Sequence, residues 1–549
     1  MNTVLWLIGL CCAVFISHGV EASHPYYRNF QSLQSTSIPI YQPYRTGYHF
    51  QPSKNYMNDP NAPNIYNGIY HLFYQWSTLG AVWGNVVWAH ATSTDLVNWI
   101  HHNMRLSHLN PTFVQGKPII QYTGIIKSNQ WNYQVEDMAV PKNLSDPYLV
   151  EWVKPIEYNP VIKPTGIINA SAFRDPTTGW QGPDGIWRLT IGSKVGNNGI
   201  SFLYRSDDFI HWTKAEHGLH WAKDTGMWEC PDFFPVAVDG KEGLDTSVLG
   251  PNVKHVFKVS LDDTKHDYYT IGTYNPEKDK YTPDEGSIDN DSGLRYDYGK
   301  FYASKTFFDH EKNRRVLWGW ANESSSVADD VKKGWAGLQA VSRTLWLAEN
   351  GKQLKQWPVK EIEQLRTKRA DVDVIFKLPK LEEVDIMDPS WVNPQLLCSS
   401  KPASVQGKSG PFGLLAWACK NFEERTAIFL RVFNHQNKYV VLMCSDQSMS
   451  SLEESNDKTT YGAFIDVDPH DDHMLSLRSL IDRSIVESYG VDGKAVITAR
   501  VYPKLAIGNE ARLYVFNNGT ENVKMSSMKA WSMKKAEIKY LKDLEFSDI

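Results

Sequence analysis

The sequence predicts an all-β chain in two parts, a radially repeated propeller followed by a sandwich-like domain. Three observations predict it. Helical periodicity is scarce across the 549 residues, and short β-branched and aromatic runs parted by Gly, Asn, Asp and Pro dominate. One block of elements recurs in the same order at nearly one offset. That pattern fades near Trp357, beyond which alternating apolar and polar runs take over. The balance of 42% hydrophobic and 22% charged residues is that of a globular protein and excludes disordered or collagen-like chains. The 20 tryptophans and 27 tyrosines suit sheets and sugar-facing clefts.

From the N-terminus, the apolar run Val4–Ile16 and the Val20-x-Ala22 step read as a secretory signal peptide over residues 1–22, too short to span a bilayer. No later stretch is long and apolar enough to do so, and no membrane partner is expected. A net charge of −5 and a pI near 6.4 argue against nucleic acid as a partner. Cys230, Cys398, Cys419 and Cys444 remain after cleavage. None has CxxC spacing, which argues against a zinc site, while secretion permits one or two disulfides. Sequons at Asn143, Asn169, Asn290, Asn322 and Asn518 are expected surface glycosylation sites.

The repeat runs as follows. Asp59-Pro60 precedes GIYHLFY from Gly68, a strand from Asn85, and STDLVNW ending at Trp99. Asp175-Pro176 precedes GIWRLTI from Gly185, a strand from Ile200, and SDDFIHW ending at Trp212. Self-similarity of this kind marks radial repetition of small antiparallel sheets around one channel. Asp59 and Asp175 open equivalent units, so both are expected to project into one funnel. Further strands are expected at Asp267–Thr273 and Arg315–Trp320. The propeller is expected over residues 41–356, a linker with a short helix over 357–369, and the sandwich over 370–541. Sandwich strands are expected at Ala427–Val432, Tyr439–Met443 and Arg512–Phe516, and the Lys/Glu-rich tail from Lys534 reads as solvated surface.

Three acidic motifs carry the chemistry: Asn58-Asp59-Pro60-Asn61, Phe173-Arg174-Asp175-Pro176 and Trp228-Glu229-Cys230-Pro231-Asp232. Glycoside hydrolysis needs two carboxylates flanking the scissile bond. One attacks the anomeric carbon and the other protonates the leaving oxygen. The acid needs a raised pKa, and Trp228 and Phe233 beside Glu229 are expected to provide an apolar surrounding. Each motif has a plainer reading as well. Asn-Asp-Pro-Asn makes a good turn, and Arg-Asp-Pro a surface ion pair. The equivalent repeat positions of Asp59 and Asp175 favour the functional reading.

These motifs, together with YRTGYHFQP at Tyr44–Pro52, LRYDYGKFYAS and YASKTFFD at Tyr302–Asp309, resemble plant acid invertases of glycoside hydrolase family 32 over essentially the whole mature chain. The Pro in WECPD resembles the cell-wall branch. The resemblance implies a five-bladed β-propeller followed by a β-sandwich, and a retaining β-fructofuranosidase that needs no cofactor or metal. It implies Asp59 as nucleophile, Glu229 as general acid/base and Asp175 as transition-state stabiliser with Arg174 beside it. Asn58, Gln75, Trp83 and Tyr302 match sugar-pocket residues. Asp262 and Lys265 match a pair associated with sucrose preference, and Cys398 and Cys444 match the sandwich disulfide. Cys419 has no such counterpart. A monomer is expected, secreted to the apoplast or cell wall, with a small carbohydrate substrate and a proteinaceous invertase inhibitor as partners.

The chain departs from the pattern in four places. About a dozen residues, including a Trp-Ser-Gly-Ser segment, are absent between Trp99 and Gly116, about one strand's worth. Their loss is expected to leave an inner strand's neighbours unpaired. Ala62 stands where Gly is usual, and Tyr56 where a rim Trp is usual. About two dozen residues are absent where Arg366–Arg369 meets Ala370–Val372, including the first sandwich strand. Sucrose hydrolysis is the leading reading. The alternatives are a fructan exohydrolase acting on inulin or levan, and a catalytically impaired sugar-binding relative, which the absent pocket segment motivates.

Overall fold

The computed structural model describes residues 41–106, 110–126, 132–467 and 474–540. The signal peptide expected over residues 1–22 lies outside them. Five small antiparallel sheets follow one another along the chain. The first holds β1 (Asn55–Tyr66), β2 (Ile69–Ser77), β3 (Val86–Ser93) and β4 (Trp99–Leu106). The second holds β5 (Asn110–Val114), β6 (Lys117–Ile126), β7 (Tyr133–Pro141) and β8 (Trp152–Val153). The third holds β9 (Phe173–Arg174), β10 (Trp180–Gln181), β11 (Trp187–Val195), β12 (Asn198–Ser206) and β13 (Thr213–Ala222). The fourth holds β14 (Trp228–Ala237), β15 (Val253–Leu261), β16 (His266–Asn275), β17 (Lys280–Pro283) and β18 (Leu294–Arg295). The fifth is built on β19 (Tyr302–Asp309) and β20 (Arg314–Ala321). β21 (Trp335–Ala336) crosses back to pair in parallel with β1 and so joins the last blade to the first. β22 (Leu338–Gln339), β23 (Arg343–Leu347) and β24 (Leu354–Pro358) complete the fifth blade. The strands expected from alternation all occur, each within a few residues of its expected span.

Aromatic side chains fill the seams between blades. Phe50, Tyr74, Trp99 and Trp318 pack between the first and last blades, and Trp180, Trp228, Phe233 and Phe257 between the third and fourth. Large flat side chains suit this place because neighbouring sheets splay apart with radius and leave wedges that small residues cannot fill.

A 3₁₀ helix at Lys360–Leu365 leads into the sandwich. One sheet contains β25 (Arg366–Lys377), β31, β32, β33 and β35. The other contains β26 (Asp385–Ile386), β27 (Phe412–Ala418), β28 (Thr426–His435), β29 (Lys438–Asp446), β30 (Tyr461–Asp466) and β34. The later strands are β31 (Met474–Asp482), β32 (Ile485–Gly490), β33 (Ala495–Arg500), β34 (Arg512–Asn517) and β35 (Met525–Met533). A disulfide joins Cys398 to Cys444, while Cys230 and Cys419 are free and buried.

Three expectations need correction. The second blade does not lose its inner strand. The shortened chain still supplies β5, paired with β6 from Asn110–Gln121 to Val114–Lys117, so the sheet keeps four strands. The sandwich likewise begins with a strand: β25 runs through the junction at residues 366–370 and pairs on both sides. A cleft of about 1700 Å³ lies between the sandwich and the incoming chain. Trp417, Ile481, Leu513, Met528 and Tyr44 are among the residues lining it, and Met525 and Met528 stay exposed on β35. Finally, the tail is more than solvated surface. β36 (Ile538–Tyr540) pairs in parallel with β4, and Tyr540 stacks on His101 with ring centroids 4.5 Å apart.

Candidate active site

The three acidic motifs all sit at the inner edges of their sheets, and irregular backbone re-aims each one. β1 shifts register between Met57 and Pro60, around Asp59. β14 shifts between Glu229 and Asp232, and β19 between Tyr302 and Lys305. Bulges of this kind turn a side chain away from the alternation of its strand. Asp175 follows the short strand β9 and, like Cys230 and Ala303, adopts a left-handed φ (66°, 44° and 52°). Such φ values cost about 1–2 kcal/mol each in a residue with a Cβ, so surrounding bonds must hold them.

Glu229 is the hub. Arg174 donates to its Oε1 from Nε at 3.0 Å and from Nη2 at 2.9 Å. The Tyr302 hydroxyl donates to Oε2, and the Lys265 ammonium lies 3.6 Å from the same oxygen. Asp262 bridges two of these cations: it accepts from Arg174 Nη2 at 3.1 Å and pairs with Lys265. Asn58 Nδ2 donates to Asp59 Oδ1 at 2.9 Å, and Gln339 holds the Asn58 carbonyl at 2.7 Å. Asp175 Oδ2 accepts from the Cys230 amide at 3.0 Å. The Asp175 amide donates to Thr123 Oγ1 at 2.9 Å, and Thr123 lies against Glu136.

The electrostatics depart from expectation. Burial, then the charges of Glu229 and Asp175, push the Asp59 carboxyl up to about 7. Burial pushes Asp175 up too, and Arg174 opposes it. Burial also pushes Glu229 up, but Arg174, Lys265 and the Tyr302 hydroxyl together outweigh it and hold the carboxyl near 2. The surroundings of the free site therefore favour a proton on Asp59 over one on Glu229. The expected apolar surrounding of Glu229 is absent for a geometric reason. Neighbouring side chains on a strand face opposite ways, which turns Trp228 from Glu229, and the register shift between Glu229 and Asp232 turns Phe233 to the same side as Trp228. Trp228 and Phe233 point into the seam between blades, where the Trp228 indole donates to Thr225.

Of the other expected pocket residues, Gln75 lies half-buried on β2, opposite Trp88 of β3. Trp83 is half-buried in the loop between β2 and β3, and that loop is tied to Tyr56 by a 2.9 Å bond from the Tyr56 amide to the Gly80 carbonyl. Tyr56 packs edge-on against Trp320 in a cluster with Tyr302 and Cys230, so an aromatic face is kept at the rim. Ala62 has φ 48°, the left-handed conformation expected where Gly is usual. Sequence reasoning missed Thr123, Glu136 and Gln339, which touch the acids or their neighbours from other blades and carry no local motif. Among the described residues, no group of three or more His, Cys, Asp or Glu side chains forms a metal-binding set.

Carboxylates from separate blades lie within one another's fields, beside Tyr302 and among fixed cations, Arg174 and Lys265, that can hold sugar hydroxyls. That fold and site define a glycoside hydrolase. The chain belongs to glycosyl hydrolases family 32: the family's N-terminal domain matches residues 49–358 and its C-terminal domain residues 344–532. It is 53% identical to the beta-fructofuranosidase insoluble isoenzyme CWINV1 of Arabidopsis thaliana, over 98% of this chain and 99% of that protein. That alignment spans 582 positions against 549 residues here, so it has gaps on this chain's side. It is 53% identical to a fructan 6-exohydrolase of Beta vulgaris, over 90% of this chain and 88% of that protein. The crystal structure of fructan 1-exohydrolase IIa from Cichorium intybus superposes with a TM-score of 0.88 at 49% identity, covering 92% of this chain and all of that one.

Proposed function

We propose that this chain hydrolyses the terminal non-reducing β-fructofuranoside of sucrose, releasing glucose and fructose with retention. The observation that carries the reading is the convergence of Asp59, Asp175 and Glu229, with Asp262 held between Arg174 and Lys265. Asp59 attacks the anomeric carbon while Glu229 protonates the leaving oxygen. Glu229 then takes a proton from the water that releases fructose. Asp175, Arg174 and Asn58 hold fructosyl hydroxyls, with Gln75, Trp83 and Tyr302 walling the pocket. Asp262 and Lys265 face the glucosyl unit. The residues 41–356 form the catalytic part and 370–541 its support.

Purified protein is incubated with sucrose and the first anomer released is read by proton NMR. β-Fructofuranose is expected, and α-fructofuranose would rule out the double displacement. A fructan exohydrolase is the second reading, favoured by one relative of that name at equal identity. Relative rates on sucrose, inulin and levan decide between the two. An impaired sugar-binding protein would show sucrose binding in calorimetry with no glucose released. Secretion to the cell wall, a monomeric state and an inhibitor protein as partner belong to the same proposal. So does glycosylation of the sequons: Asn143, Asn169 and Asn290 are exposed, whereas Asn322 and Asn518 are half-buried.

A further inference from the structure

We propose that Lys305 is a positioning residue of this site, a buried ammonium that ties the backbone beside Asp175 to the backbone beside Glu229 and fixes a positive charge beneath the carboxylates. The inference rests on the reading of those acids as the hydrolytic set. Lys305 lies on β19 and is only 3% exposed. Its Nζ donates to the Pro231 carbonyl at 2.9 Å and to the Pro176 carbonyl at 3.3 Å. Pro176 directly follows Asp175, and Pro231 lies two residues beyond Glu229. Neither proline has an N–H, so each segment lacks a ladder donor of its own there, and the carbonyl is the handle left to hold.

Lys258 repeats the device. It donates from β15 to the carbonyls of Cys230 at 3.1 Å and Ser304 at 2.7 Å, and unlike Lys305 it also bonds Ser260 and pairs with the buried Asp267 carboxylate at 3.3 Å. The left-handed residues Asp175, Cys230 and Ala303 thus each lie at or next to a carbonyl gripped by a buried lysine. The two lysines join the third, fourth and fifth blades at the level of the acids. Burying an ammonium is costly, and an apolar side chain of similar volume would fill the space more cheaply. What an apolar side chain cannot do is bond two carbonyls from different blades. Charged or titratable groups facing Lys305 are Asp175, Cys230, Asp232 and Lys258, with Glu136 also within its field. The Asp232 carboxylate is engaged with the Thr306 amide and hydroxyl, so carbonyls are the direct partners of Lys305.

The test compares wild type with Lys305→Met, which removes charge and donors, and Lys305→Gln, which keeps a donor alone. Lys305→Met is expected to lose about 100-fold in kcat, the scale of a misplacement near 1 Å, with KM within about threefold. The acid limb of fructose binding, where Asp175 becomes protonated and releases the sugar, is expected to move to higher pH, because Asp175 loses a cation that favours its ionised form. Lys305→Gln is expected to recover part of kcat and none of the limb. Calorimetry across pH reads that shift without turnover. A chain inactive on sucrose therefore sinks the hydrolytic reading and still answers this question. Unchanged kcat with an unmoved limb, or the failure of both variants to fold, would overturn the proposal and leave Lys305 a scaffold residue.

Discussion

Asp59 and Glu229 are pushed in opposite directions, and the difference sets the pH behaviour. Burial and the neighbouring carboxylates push Asp59 up to about 7, while Arg174, Lys265 and Tyr302 hold Glu229 well below its ordinary value, which favours one proton on the pair at acidic pH. Turnover needs Glu229 protonated and Asp59 ionised, one of the two arrangements of that proton. The nucleophile is lost at low pH, once both carboxyls are protonated, and the acid is lost above about pH 7. A bell-shaped profile of kcat/KM confined to the acidic side is expected, and a profile flat from pH 4 to 8 would contradict it. Arg174→Gln removes the strongest pull on Glu229, so the proton is expected to move toward Glu229 and the basic limb to shift. Ala62 offers a separate test. Its side chain is fully buried at φ 48°, where a Cβ costs about 1 kcal/mol or more. Ala62→Gly is expected to gain about 1 kcal/mol in urea unfolding, and a loss of stability would show that the methyl packs well enough to offset the strain.

At the scale of elements, the first blade holds a cluster of acid-sensitive histidines. His71 bonds His90 ring to ring at 3.0 Å, His90 lies 5.0 Å from the His102 ring, and His102 bonds Thr92. His101 bonds Tyr74. Burial lowers all four: His71 and His101 to about 3, His102 to about 4, and His90 well below its ordinary value. A bond between two imidazoles also requires a neutral acceptor nitrogen. The unfolded chain takes up these protons below about pH 6.5 and the fold does not. Stability is therefore expected to fall as pH falls from 6.5 toward 4, by up to about 1.4 kcal/mol per pH unit for each ring. His102→Phe is expected to reduce that slope by about one proton in unfolding measured across pH. An unchanged slope would show that His102 titrates normally in the fold. None of this ladder is legible in the sequence, because its members come from three strands and meet only through register. The strands themselves are legible, since alternation of apolar and polar residues is local. The bulges at Asp59, Glu229 and Tyr302 are not, since a bulge is a mismatch between two strands and one strand cannot reveal it. β36 was obscured for another reason: Ile538 and Tyr540 are lone apolar hooks in a charged tail. Asp59, Asp175 and Glu229 could be read because two of them share a repeat position. Thr123 and Lys305, which hold their backbone, could not.

The whole molecule depends on a buried charged seam between propeller and sandwich. His49, from the segment before β1, bonds Asp482 through Nδ1 and Glu487 through Nε2, both at 2.9 Å. Glu487 also accepts from Arg343 at 2.8 Å and from the Val341 amide at 2.7 Å, while Arg343 reaches Asp297 at 2.8 Å. Tyr48, Val97, Ile362, Leu480 and Tyr489 pack around this seam. Two carboxylates facing the two ring nitrogens are satisfied only by imidazolium, since a neutral ring has one N–H. Burial alone would lower His49, but its bonds to Asp482 and Glu487 outweigh it and raise its pKa. The sign is therefore opposite to that of the first blade. Stability from His49 is fully present below about pH 6.5 and is lost as pH rises through the folded value. Between about pH 6.5 and 5 the seam keeps its full His49 contribution while the histidine ladder weakens, so over that range the ladder loses stability and His49 does not. His49→Gln keeps one donor and leaves a carboxylate unpaired. It is expected to cost about 3 kcal/mol at pH 5 and clearly less at pH 8, read as the difference in unfolding free energy from wild type. A cost independent of pH over that range would mean that His49 is neutral in the fold, and that Arg343 and the apolar cluster alone hold the two domains together.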